Sequence, residues 1–178
     1  KLVAEMQALA LGPVTDANAA IGPLITAEAR DRVASFVAAH PGDLIAEQTI
    51  PTGAPWSEGH WCAPRILAVP DAQHPLAQEE LFAPIVALLE VPSLDAAIAA
   101  VNATPAGLSA SIITRDLHAA MQWVRHVEVG LVRINGDTTG VDPHAPFGGM
   151  KASGSGGREQ GPAARDFYTE SRTIQLHA

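Results

Sequence analysis

The run Phe82-Ala-Pro-Ile-Val-Ala-Leu-Leu-Glu-Val91 decides the fold. It is apolar almost end to end rather than alternating, and it has the length of a strand. That is how a strand buried on both faces reads. Ser93 follows as a hydroxyl N-cap, and Leu94, Ala97, Ile98 and Val101 then share one face of a helix. After the turn Pro105-Ala106-Gly107, the small and β-branched residues of Leu108 to Thr114 predict a second strand. Asp116 caps a second helix, in which Leu117, Ala120, Met121 and Val124 are expected to face inward and Gly130 to end the element. Leu131-Val-Arg-Ile134 is a third strand. The order β-α-β-α-β predicts an α/β fold with a parallel sheet flanked by helices.

Toward the N-terminus, Leu2, Val3, Met6, Leu9 and Ala10 recur at helical spacing until Gly12-Pro13 stops them. Thr26 is the N-cap of a helix with Glu28 in its first turn and Ala29, Val33, Phe36 and Val37 as its apolar stripe. Leu44 to Ile50 predicts an edge strand, Cys62 to Val69 another, broken by Pro64, and His74 to Glu80 a short helical segment. Beyond Ile134 come a loop, Asn135 to His144, and the stretch Ala145 to Gly161, in which six of seventeen residues are glycine. A flexible linker would not place a Phe, a Lys and an Arg-Glu pair among its glycines. Nor does this stretch have the strand-Gly-x-Gly-x-x-Gly-helix spacing of a dinucleotide fingerprint. Gly161-Pro162 opens a last helix to about Tyr168. Arg172 to Leu176 alternates as a terminal strand with no obvious local partner, which leaves an edge to be paired.

The 178 residues are 47% apolar and 17% charged, enough to build a core of Ala, Val, Leu and Ile with only 4% aromatics. The net charge of -8 argues against nucleic acid and against an anionic membrane as partners. One cysteine, Cys62, excludes an internal disulfide and a multi-cysteine metal site, and it fits a reducing, cytoplasmic location. No apolar run reaches membrane-spanning length. Without an initiating Met, position 1 reads as the interior of a longer chain.

Several stretches together resemble the NAD(P)-dependent aldehyde dehydrogenases, and they come in that family's order. Ile21-Gly-Pro-Leu-Ile25 is similar to the Gly-Pro-Leu segment before a helix, and Glu79-Glu-Leu-Phe-Ala-Pro84 to the Glu-Glu-(Ile/Leu)-Phe-Gly-Pro motif, with Ala83 in place of the usual Gly. Asn102-Ala-Thr-Pro-Ala-Gly-Leu-Ser-Ala-Ser111 resembles an Asn-x-Thr-x-Tyr-Gly-Leu segment, and Gly130 to Asn135 a strand ending in Asn. Pro146-Phe-Gly-Gly149 through Arg158-Glu159 resembles the Pro-Phe-Gly-Gly-x-Lys-x-Ser-Gly…Arg-Glu signature, and Tyr168-Thr-Glu170 is also family-like. Its spacing and the run Arg158 to Ala164 resemble the branch acting on α-ketoglutaric semialdehyde.

The resemblance covers the family's C-terminal part only. It implies residues 1–167 as an incomplete catalytic domain and 168–178 as an oligomerisation strand that makes a homo-oligomer. The Rossmann cofactor domain and the nucleophile segment would lie in a missing N-terminal part of the parent chain. In such a parent, a Cys thiolate outside this chain attacks the aldehyde, hydride passes to NAD or NADP, and water releases the carboxylic acid. The isolated chain is then expected to be inactive. Glu80 is implied as the carboxylate holding the cofactor ribose, Phe82 as the aromatic against the nicotinamide, and Phe147 as the wall of the aldehyde tunnel. Asp137, Asp142 and His144 would border the substrate entrance, or be plainly solvated. A buried Arg158-Glu159 network reads as scaffold.

Two other readings stand beside this one. The chain would serve as a non-catalytic dimerising module, or Cys62 would act as a nucleophile with His60, two residues away on the same strand face. A single Cys is more often an inert packing residue, and no His pair has metal-ligand spacing.

Overall fold

The computed structural model describes residues 1–177 and resolves into two compact units, Lys1–Glu90 and Val91–Ala178. In the first unit, α1 spans Leu2–Ala8, α2 Ala27–Ala39, β1 Asp43–Glu47, β2 Arg65–Ala68, α3 Pro75–Gln78 and β3 Ile85–Leu88. In the second, α4 spans Leu94–Asn102, β4 Ser109–Ile112, α5 Leu117–His126, β5 Leu131–Ile134 and α6 Ala163–Tyr168.

The α/β class holds, but the strands form two sheets. The first unit carries a mixed sheet in the order β1-β2-β3, with β1 antiparallel to β2 and β3 parallel to it. The second carries a parallel pair, β4 and β5. The parallel pairs are the ones joined through helices, α3 for β2-β3 and α5 for β4-β5, as crossover geometry requires. β1 reaches β2 through a long loop instead, so it is free to run antiparallel. Pro64 leaves β2 to start at Arg65 rather than Cys62, since proline donates nothing to a ladder.

Each unit has its own core. Val33 of α2 packs with Leu67, Val69, Leu76 and Leu81, and Phe36, Val37 and Cys62 lie against them. Thr26 caps α2 by accepting from the Ala29 amide at 3.1 Å. In the second unit Ile98 of α4 packs with Ala110, Trp123, Val127 and Val129. Ser93 and Asp116 cap α4 and α5 through the Ala96 and His118 amides. The inward face of α5 differs from expectation. Ala120 and Trp123 are buried, while Leu117, Met121 and Val124 are exposed. The stripe one residue over wins because it carries the indole, the larger apolar surface. The helix also stops at His126 rather than at Gly130.

Residues 169 to 177 form no strand. Ile174 and Leu176 are 75% and 93% exposed, consistent with a segment that has no ladder partner within its own unit.

Candidate functional site

Glu80 and Phe82 are set by the residue between them. Leu81 is buried in the core of the first unit, and its carbonyl accepts from Arg32 Nη2 on α2 at 2.8 Å. With Leu81 turned in and pinned, its two neighbours turn out. Phe82 is 78% exposed with φ +52°, a left-handed conformation that costs a bulky residue free energy. Nothing in its packing offsets that cost. Ala83 packs against the core and its φ is not left-handed, so its methyl is accommodated where the family motif has Gly. The Glu80 carboxylate makes no ion pair among the described residues. Glu80 and Phe82 both line a cleft of about 310 Å³, with Leu76, Glu79 and Ile85. An unpaired carboxylate beside a presented aromatic face fits a ligand with vicinal hydroxyls and a flat ring.

The glycine stretch is built into the second unit. Phe147 and Glu159 exchange backbone hydrogen bonds, 2.6 Å from the Phe147 amide and 3.0 Å from the Glu159 amide, which closes the stretch into a loop. Arg158 Nη1 donates to the Gly149 carbonyl at 2.8 Å, and Glu159 Oε2 accepts from Tyr168 Oη at 3.4 Å. The pair thus holds the loop separately and does not form an ion pair, which agrees with a scaffold role. Gly130 lets the loop close: a Cβ there would lie 1.7 Å from the Gly148 carbonyl oxygen.

Below the loop, residues 150–153 are stapled to the turn after α4. The Met150 amide donates to Gly107 O, the Gly107 amide to Ser153 Oγ, and the Ala152 amide to Pro105 O. Lys151 Nζ donates to the carbonyls of Asn102 and Thr104 at 2.9 and 3.1 Å, where a cation also suits the helix end. The sequence marked Lys151 as out of place in a linker but assigned neither it nor Ser153 a partner; the carbonyls and amide they bind lie more than forty residues away. Asn135, also at left-handed φ, joins the ends of β5 and β4 by two hydrogen bonds to Thr114, 2.8 and 2.9 Å.

Phe147 is half-buried and lines a cleft of about 330 Å³ with Leu131, Val132, Arg133, Val141, Asp142 and Pro146 among its neighbours. His144 is exposed and does not line this cleft, although it lies on the loop that does. Asp137 and Asp142 are exposed and stabilise their own turns, accepting from the Thr139 and His144 amides.

Cys62 behaves as a packing residue. Its thiol points to the Ala63 carbonyl at 3.8 Å, and burial pushes its pKa up, away from the thiolate a nucleophile needs. Among the described residues no three His, Cys, Asp or Glu side chains gather as a metal site, and no helix is long and apolar enough to cross a membrane.

Comparison with known proteins decides the relationship: residues 1–174 match the aldehyde dehydrogenase family. The chain belongs to the aldehyde dehydrogenase family. The α-ketoglutarate semialdehyde dehydrogenase of Haloferax volcanii is 38% identical over 178 aligned positions, covering 98% of this chain and 36% of that relative. The α-ketoglutaric semialdehyde dehydrogenase of Bacillus subtilis is 33% identical, with the same coverage. Among solved structures, the Mycobacterium tuberculosis aldehyde dehydrogenase complexed with NAD+ superposes with a TM-score of 0.84 at 31% identity, over 97% of this chain and 35% of that one. This aldehyde dehydrogenase chain therefore spans about a third of the length of the relatives it matches.

Proposed function

We propose that this chain supplies part of the active site of an enzyme that oxidises an aldehyde, a semialdehyde by its likeness to two semialdehyde dehydrogenases, to a carboxylic acid with NAD+ or NADP+. The observation that carries the reading is the outward pair Glu80 and Phe82, the latter held exposed at an unfavourable φ. The Glu80 carboxylate would accept hydrogen bonds from the ribose hydroxyls. The Phe82 ring would lie against the nicotinamide and restrict its position. When bound, the nicotinamide supplies the hydride acceptor. On the substrate side, Phe147 would wall the aldehyde cleft and exclude water from the carbonyl, with His144 on the loop at its rim. The exposed segment Arg172 to Leu176 would pair with a second copy and build a homo-oligomer.

The nucleophile would come from the two thirds of the relatives that this chain does not cover, because Cys62 is half-buried with a raised pKa. The test is aldehyde-dependent formation of reduced nicotinamide. The full protein containing this chain should show it and the isolated chain should not. Failure of the full protein to reduce NAD+ or NADP+ with any short aldehyde or semialdehyde would refute the reading.

A further inference from the structure

We propose that Arg133 is an anion receptor in the Phe147 cleft, and that it selects aldehydes bearing a carboxylate at the end remote from the carbonyl. This rests on the reading of that cleft as the substrate side. Arg133 sits in the middle of β5, where Leu131 and Arg133 occupy the more buried face and Val132 and Ile134 the exposed one. Arg133 is half-buried on an otherwise apolar four-residue strand, a setting in which a guanidinium commonly finds an ionic partner. Arg133 has none. Its Nη2 donates to the Gly140 carbonyl at 2.7 Å, and it forms no ion pair among the described residues. Asp142 also lines the cleft, but its Oδ1 accepts from the His144 amide and holds the loop.

The Gly140 bond fixes one arm of the guanidinium against the cleft wall and leaves the remaining donors unassigned. That is the arrangement in which a planar fork can take a carboxylate through two parallel hydrogen bonds. The rest of the lining is mostly apolar, with Phe147, Pro146, Val141 and Val132 around a volume of about 330 Å³. A cleft of that size suits a short chain with one anionic end. Lys would be a poor substitute, since it offers a point charge instead of a fork.

The experiment uses the full protein containing this chain, with succinic semialdehyde and butanal as substrates of equal carbon length. The readout is the ratio of their kcat/KM values. Arg133→Met should lower the ratio by about tenfold or more, because a charge-assisted bidentate contact is lost for one substrate only. Arg133→Lys, which keeps the charge, should lower it by less. A second arm measures glutarate binding by calorimetry to the wild type and to both variants; affinity should fall in the same order. An unchanged ratio with unchanged glutarate affinity overturns the assignment while leaving aldehyde oxidation intact. If the wild type oxidises no short aldehyde or semialdehyde, the proposed function fails, and the glutarate arm still decides whether Arg133 binds carboxylate. Should Arg133→Met not fold, the Arg133→Lys arm decides both readouts.

Discussion

Gly130→Ala is the sharpest perturbation of the loop that carries Phe147. A Cβ at position 130 would sit 1.7 Å from the Gly148 carbonyl oxygen, 2.8 Å from the Gly148 carbonyl carbon and 3.0 Å from the Gly149 Cα. All three are backbone atoms, so no side chain can rotate aside. Ordinary contact begins near 3.4 Å, so the gap must double, and the loop or the chain entering β5 must give way by about 1.7 Å. The loop cannot retreat freely, because Phe147 is bonded to Glu159 and Met150 to Gly107. Overpacking against fixed backbone belongs at the upper end of the usual range, about 3 kcal/mol. For a chain of this size that is a fall of about 6–12 °C in melting temperature. Gly156→Ala is the control, since nothing lies within 4 Å of its added methyl. Thermal unfolding followed by circular dichroism reads both. Melting of Gly130→Ala within about 1 °C of Gly156→Ala would refute the packing argument, because a surface methyl alone produces changes that small.

Further outcomes follow from the same contacts. Lys151→Met should destabilise by about 2 kcal/mol in chemical denaturation, because two carbonyls lose a charged donor; an unchanged midpoint would deny the staple. Asn135→Ala should cost more than Asn135→Gly, since both lose the Thr114 bonds but only alanine must also hold φ +55°. Alkylation of Cys62 in the folded protein should be slow at neutral pH and should quicken only above the ordinary thiol range, because burial raises its pKa and leaves the neutral thiol. Rapid alkylation at pH 7 would reopen a reactive role for it.

The helices were legible because caps state them locally: Thr26, Ser93 and Asp116 each cap the helix their position suggests. The apolar run from Phe82 to Val91 was over-read: only Ile85–Leu88 is strand, and it alternates, with Val86 and Leu88 exposed rather than buried on both faces. Sheet composition was less legible. Direction depends on how strands connect, and the long loop between β1 and β2 permits the antiparallel choice that a run of βα units hides. The face of α5 was misread because its apolar residues occupy two adjacent stripes, and only the one carrying Trp123 finds a core. At the candidate site the motif residues Glu80, Phe82 and Phe147 stood out in sequence; Glu80 and Phe82 lie outward and Phe147 lines a cleft. Arg133 did not stand out, and Lys151 stood out only as a charge inside the glycine stretch. A cation acquires meaning from which carbonyls surround it, and those carbonyls lie seven to forty-nine residues away.

The central claim is that this chain contributes the cofactor-holding pair of an aldehyde-oxidising site. Titration of NAD+ into the full protein, comparing wild type with Glu80→Gln, tests it most directly. The account predicts a loss of about tenfold or more in affinity, the loss of charge-assisted hydrogen bonds to the ribose, with an unchanged melting temperature because Glu80 is exposed and unpaired. Equal NAD+ affinity in the two proteins would contradict it.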